Sequence, residues 1–228
     1  MSIARKIHNF LHPAIGQVVM LHRIVESIGS QSEASRLELT VDFFAKTLDD
    51  LCTRGVDFIG IDSVAQRIKT KHGHSFVCLT FDDGYLDTYT HAYPMLKERQ
   101  IPFCVYLTRD FYRGISKPQW NPDVEMMEVE QVFALASNPL CTIGVHTCTH
   151  PRLSTLDMNA QRQEIADCKA DLESLLGHEV HHLAYPHGDY NRDTVKLVAE
   201  LGFVTAVTTS GRHVRRDSQL LELDRVFA

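Results

Sequence analysis

Two adjacent carboxylates, Asp82 and Asp83, end the apolar run Phe76–Phe81 and are followed by Gly84. Within a regular strand, neighbours point to opposite faces and cannot share one task. At a strand terminus a glycine lets the backbone turn, so both acids can be aimed at one cavity from different directions. One acid can then ligate a metal while the other faces a reacting water. Taken alone, an Asp-Asp-Gly segment before a helix is more often an N-cap pair. His146 and His150 shift the balance, because they bracket Thr147-Cys148-Thr149 directly after a second apolar strand. Imidazoles four residues apart can meet on one face of a compact turn. With one carboxylate they form a two-His, one-acid set that leaves positions open for water and substrate. That set suits zinc, with cobalt, nickel and iron as alternatives according to supply. Cys148, between the histidines, is read as turned away into the core or loop.

The elements that must carry these residues alternate along the chain. Gln17–His22 is a β-rich run ending on a histidine. Thr40 caps a helix reaching Gly55, in which Phe43, Phe44, Leu48 and Leu51 recur at helical spacing. Phe58–Ile61 is a short strand, and Asp62 can cap the helix that follows to about Lys69. After the strand Ser75–Phe81 comes a helix over Asp87–Gln100, then the strand that Pro102 opens. Residues 109–127 read as a long loop holding the single tryptophan, Trp120. Glu128–Ala136 is helical, Thr142–His146 a strand, and Thr155 or Asp157 caps a long helix closed by Gly177. His182–Tyr185, Asn191–Leu201, Val204–Thr208 and Leu220–Val226 complete a strand, helix, strand, strand series. This alternation predicts an α/β fold with a parallel sheet, open or barrelled. Polar residues recur at strand ends: His22, Asp82-Asp83, His146, and Pro186-His187. Parallel barrels place their sites at the C-terminal strand ends, so these four positions point to one mouth.

The bulk of the chain narrows the function classes. Its 228 residues, 44% hydrophobic and 23% charged, fit one domain with a sizeable core. A net charge of -6 with no basic stripe argues against nucleic acid as a partner. The six cysteines include no Cys-x-x-Cys pair, and Cys78, Cys104 and Cys141 sit in apolar runs, which fits a reduced protein. The apolar N-terminal stretch is broken by His8, Asn9, His12 and Pro13, unlike a secretory segment, and no run is long enough to span a bilayer. A cytoplasmic protein is therefore expected. The thirteen histidines mildly favour metal or acid–base chemistry, although His72, His74 and His178 read as solvated surface.

LTFDDG (79–84) followed some sixty residues later by HTCTH (146–150) resembles the first two motifs of the polysaccharide deacetylase family. The likeness runs from about Gln17 to the C-terminus. It implies a single-domain, distorted (β/α) barrel of about seven strands over 17–228, after a lead-in over 1–16. It also implies a metal-dependent hydrolase that removes acetyl groups from sugars, with an N-acetylated sugar or glycoconjugate as substrate. By position, Asp82 matches the catalytic base, and Asp83, His146 and His150 match the metal ligands.

Two departures from the common family pattern carry further expectations. The late strand that ends in the family's acid histidine is missing, but VVMLHR (18–23) looks like that strand moved to the front. This resembles a circularly permuted branch that includes poly-N-acetylglucosamine deacetylases, and it gives His22 the general-acid role. The plainer account of His22 is a strand-end histidine bonded to backbone. The usual Arg-Pro-Pro wall is replaced by Ala184-Tyr185-Pro186-His187-Gly188, so Tyr185 and Pro186 are the candidate substrate wall and the arginine that pairs with the base is absent there. Arg225 could supply that guanidinium, or could pair at the surface with Asp224 or Glu222. Trp120 could stack on a sugar ring or pack in the core. Two rival functions stand beside deacetylation: hydrolysis of another acyl ester or small amide by the same centre, and a catalytically inactive sugar-binding barrel.

Overall fold

The computed structural model describes residues 14–28, 37–70 and 75–228. Most of the lead-in expected over 1–16, most of the loop expected over Ser27–Ser35, and His72 and His74 lie outside the described residues. The chain opens with β1 (Ala14–Leu21), β2 (Arg23–Val25) and β3 (Glu38–Thr40), then α1 (Val41–Thr53), β4 (Asp57–Phe58), α2 (Ile61–Lys69) and β5 (Phe76–Phe81). A π-helical turn over Thr88–Ala92 leads into α3 (Tyr93–Glu98), followed by β6 (Phe103–Leu107), α4 (Arg109–Tyr112), α5 (Val129–Ala136) and β7 (Cys141–Val145). The rest is α6 (Met158–Leu176), β8 (His182–Ala184), α7 (Arg192–Glu200), β9 (Thr205–Val207), β10 (Val214–Arg215) and β11 (Val226–Phe227).

The main sheet has the order β10-β1-β5-β6-β7-β8-β9, curled into a half-barrel with helices around it. From β1 to β9 every pairing is parallel, and β10 is antiparallel to β1. The C-terminal stretch spans the gap between the two ends: Leu223 bridges parallel to Val207 on β9, and β11 pairs parallel with β1. The first strand thus lies between the last strand and β5, the placement that a permuted barrel requires.

Strands covered on both faces should read as continuous apolar runs rather than as alternation. All five residues of β6 are buried, as are five of the six in β5. Their side chains still alternate between two cores. Leu79, Phe81, Phe103, Val105 and Leu107 pack outward against the helices. Phe76, Cys78, Cys104 and Tyr106 pack inside with Val18, Ala184, Val207 and Leu223. Gly144 on β7 has no side chain because the Tyr106 ring occupies its place: a Cβ there would lie 2.4 Å from that ring.

Several local expectations shift. The first strand begins at Ala14 rather than Gln17, and His22 falls one residue past it. Thr40 caps α1 as expected, accepting from the Phe43 N–H, and Asp157 rather than Thr155 caps α6. Asp62 does not cap α2, whose N-cap is Gly60. Its carboxylate instead binds His182 Nε2 at 2.8 Å and accepts from the Thr142 hydroxyl at 2.7 Å, tying α2 to β7 and β8. The helix expected over Asp87–Gln100 starts as a π turn before Pro94, whose ring nitrogen can donate nothing to a regular ladder. The region 109–127 contains the short α4, and Leu220–Val226 is a 3-10 turn followed by β11 rather than one strand. No helix among the described residues is long and apolar enough to cross a membrane.

Candidate active site

Alternation along β5 puts Cys78 and Thr80 inside the barrel, and Asp82 continues that face. Asp83 would then point outward, but its backbone turns into the left-handed region (φ 72°), followed by Gly84 at φ 89°. A Cβ at Gly84 would meet Leu107 Cδ2 at 2.8 Å, so both conformation and packing hold a glycine here. The turn brings both carboxylates to one cavity. Thr147 and His150 also have positive φ, 68° and 63°. A non-glycine residue in that region carries strain that the surroundings must offset. The HTCTH turn is locked by His150 N–H to Thr147 Oγ1 at 3.0 Å, and by Glu164, which accepts from the Cys148 and Thr149 N–H groups.

Asp83 Oδ1 lies 3.5 Å from His146 Nε2 and 3.4 Å from His150 Nε2. These three atoms lie within 4.8 Å of one another, a group able to hold a metal ion. Four further observations fit a cation there. Asp83 Oδ1 is buried and has no hydrogen-bond partner among the described residues. His146 Nδ1 lies 2.8 Å from the Ala184 carbonyl and must donate to it, which leaves the Nε2 lone pair facing Asp83. Burial lowers the imidazole pKa of His146 to about 4 against the opposing charge of Asp82, and burial together with the charge of His187 lowers that of His150 to about 3, so both are neutral, as ligands must be. Burial also raises the Asp83 carboxyl above its ordinary value, the response of a buried acid without a cation. Cys148 points away as expected: it is buried, with Sγ 3.8 Å from the Gln163 carbonyl.

Asp82 has a different partner. Arg225 is 0% exposed and bonds both Asp82 oxygens, Nη1 to Oδ1 and Nη2 to Oδ2, each at 2.7 Å. It also donates to Thr80 Oγ1 at 3.1 Å and, through Nε, to the Thr208 carbonyl at 2.9 Å, with its guanidinium carbon 5.8 Å from the Tyr106 ring centre. Burial pushes the Asp82 carboxyl up, but the charges of Arg225, His146 and His22 outweigh it and hold the group well below the carboxylate range. Of the two sequence alternatives for Arg225, the surface pair is excluded; Asp224 is held by Ser210 and Arg212 instead. His22 Nε2 lies 4.0 Å from Asp82 Oδ2, with a side chain 13% exposed.

These groups open into a cavity of about 610 Å³ whose lining includes His22, Asp82, Asp83, His146, His150 and Trp120. That volume is within the ~300–1,000 Å³ of small-molecule sites. Trp120, 39% exposed, stands 4.8 Å from the His150 ring and donates its indole N–H to Tyr85 Oη at 3.0 Å. Its loop is built on the carboxylate turn: Met127 N–H bonds the Gly84 carbonyl at 2.9 Å and Leu86 N–H bonds the Glu125 carbonyl at 3.0 Å.

The expected Tyr185-Pro186 wall is not brought to the cavity. Tyr185 is fully buried, stacked on Tyr190, with its hydroxyl on the Leu221 carbonyl at 2.9 Å, and its N–H bonds the Val207 carbonyl. It therefore packs in the core on the helix side of the sheet, and its amide is not free for an oxyanion. The next residue but one, His187, lines the cavity instead, 4.5 Å from the His150 ring and at φ 60°. Arg152, Met20, Thr209 and Phe227 also line it. Sequence reasoning had no signal for these beyond the strand-end position of His187, because their meeting depends on loops from different strands.

The (β/α) barrel thus carries at its C-terminal mouth a candidate metal centre, an Asp-His-His group beside a clamped second carboxylate. The family model for polysaccharide deacetylase matches residues 69–206, and the chain belongs to that family. The match ends short of both His22 and Arg225. A protein of Bacillus subtilis (strain 168), YxkH, whose name places it among polysaccharide deacetylases, is 30% identical over 156 residues, 68% of this chain. The chain spans about half of that relative, 52% of its length. Among solved structures, IcaB from Ammonifex degensii is 26% identical with a TM-score of 0.76, covering 94% of this chain and 92% of that one. The Streptococcus pyogenes deacetylase PplD, solved with acetate, shares the fold at 24% identity and a TM-score of 0.80, covering 93% of this chain and 91% of that one.

Proposed function

We propose that the chain hydrolyses the acetamide of an N-acetylated sugar or glycoconjugate, releasing acetate and a free amino sugar. The observation that carries this reading is the division of the adjacent acids: Asp82 is clamped by Arg225, whereas Asp83 faces two neutral imidazoles. Asp83, His146 and His150 would hold one divalent ion, zinc in the first instance. When bound, such an ion supplies Lewis acidity, making water a better nucleophile and a carbonyl a better electrophile.

Asp82 is the base that takes the proton from the attacking water. Its two bonds to Arg225 fix the carboxylate and keep it ionised, ready to accept. His22, close to Asp82 at the mouth, is the acid that protonates the departing nitrogen. An amide needs that proton because an amide anion is a very poor leaving group. A backbone N–H of the turn after Asp83 is the candidate donor to the developing oxyanion, since the Tyr185 amide is engaged. Trp120 offers a flat apolar face to a sugar ring.

The full set of acid, base and ligand side chains supports an active enzyme over an inactive sugar-binding barrel. Metal analysis of the purified protein, followed by acetate release from a panel of N-acetylated sugars, tests the reading. Stoichiometric metal with turnover that is lost on chelation is expected. Turnover of activated acyl esters with none on any acetamido sugar would instead favour the ester-hydrolase alternative.

A further inference from the structure

We infer that the cavity is adapted to an acetylated sugar that also carries an anionic group, a phosphate or a carboxylate, and that Arg152 receives that group. The inference rests on the deacetylase reading for the acetylated sugar and on the residues below for the anion.

The chain as a whole is acidic, with a formal net charge of -6. The cavity is not. Among the described residues its only acids are Asp82 and Asp83, while Arg152 lines it as well. Asp82 is neutralised within the protein by the buried guanidinium of Arg225. A divalent ion held at Asp83 would leave one positive charge in excess, and Arg152 adds a second. An anionic substituent on the sugar would meet a locally positive cavity in a negatively charged protein.

Arg152 is placed to act on a ligand rather than on the fold. Its main chain is fixed, because its carbonyl accepts the Thr155 N–H at 3.1 Å and the Thr155 hydroxyl at 2.7 Å. The residue is exposed, and no carboxylate among the described residues lies within ion-pair distance of it. The acid of the adjoining loop, Asp189, is engaged by Ser154, whose N–H and hydroxyl donate to it at 2.8 and 2.9 Å. The guanidinium is nonetheless close to the centre. Arg152 lines the same cavity as His187 and His150, whose rings lie 4.5 Å apart. Five N–H donors in a planar fork, without an acceptor among the described residues, match the oxygens of a phosphate or carboxylate.

The test compares three acetamido sugars that share one ring: an uncharged glycoside, a phosphate ester and a uronate. With metal-loaded wild-type enzyme, kcat/KM for at least one anionic sugar should exceed that for the neutral one by about tenfold, mainly through KM, and the ratio should shrink in high salt. R152Q should bring the ratio near one, while R152K should keep part of it as a point charge. Preference for the phosphate alone or for both anions identifies the group. Calorimetry of the deacetylated, phosphate-bearing amino sugar gives a readout without turnover, and its affinity should fall in R152Q by about the same factor. A wild-type ratio near one, or a ratio and an affinity unchanged by R152Q, would overturn the inference. Should no acetamido sugar be turned over while Arg152-dependent binding of the phosphate sugar persists, the deacetylase reading fails and the anion site stands. Turnover without anion preference removes the anion site and leaves the deacetylase reading in place.

Discussion

Arg225 grips Asp82 through two nitrogen–oxygen contacts of 2.7 Å, joining residues 143 positions apart. The pair is buried beneath the mouth of the barrel, and the guanidinium is anchored by Thr80 and the Thr208 carbonyl. It decides the protonation state of the carboxylate that faces the reacting water in the proposed mechanism. Burial alone would raise the pKa of Asp82; Arg225 leads the charges that reverse this.

Replacing Arg225 by methionine should therefore leave an uncompensated buried acid. Breaking one partner of a buried pair costs about 3–5 kcal/mol, measurable by denaturant unfolding of the metal-free protein. The acid limb of the kcat/KM profile should also move to higher pH, because the Asp82 pKa rises once its counter-charge is gone. An unshifted limb in a folded variant would show that Asp82 does not set it.

Asp82→Asn should retain bound metal but lose turnover by about a hundredfold to ten-thousandfold, the range for removal of a general base. His146→Ala should lose the metal itself. Metal content and acetate release, measured on the same preparations, separate the two effects. Full activity in Asp82→Asn would remove the base assignment.

His22→Ala should slow acetamides far more than activated acetyl esters, whose leaving groups depart without a proton. The comparison uses one variant and two substrates, so a general loss of structure would lower both rates alike. Equal losses would count against the acid role.

Acid should weaken the metal-free fold before it disrupts a typical carboxylate pair. The His146 and His150 pKa values are lowered from 6.5 to about 4 and about 3, so below pH 6.5 the unfolded chain binds protons that the native state refuses. Their contribution to stability is present above 6.5 and is lost as the pH falls toward 4 and then 3. Melting temperatures of the chelated protein should decline across that window. The decline should be shallower in His150→Gln, which cannot titrate.

The order of elements, the strand-end punctuation, the acid pair and the His146–His150 turn were legible in the sequence because each is local, while the choice of Asp83 as the third ligand came from the resemblance to the polysaccharide deacetylase family. A strand of buried residues reads as an apolar run, and an acid pair followed by glycine or a His-x-x-x-His turn fixes its own geometry within a few residues. Spacing alone left Arg225 open between a surface pair and a buried clamp, because its target is on another strand and only barrel closure brings them together. The pairing of β1 with β5 placed His22 beside Asp82, packing against Tyr190 and Leu221 kept Tyr185 out of the wall, and loops from different strands gathered His187, Arg152 and Trp120 around one cavity. The local chemistry was thus set by residue type and spacing. The partners of Asp82 and the charge of the cavity were decided by tertiary structure, since a side chain's neighbours and its desolvation depend on elements that the chain order keeps apart.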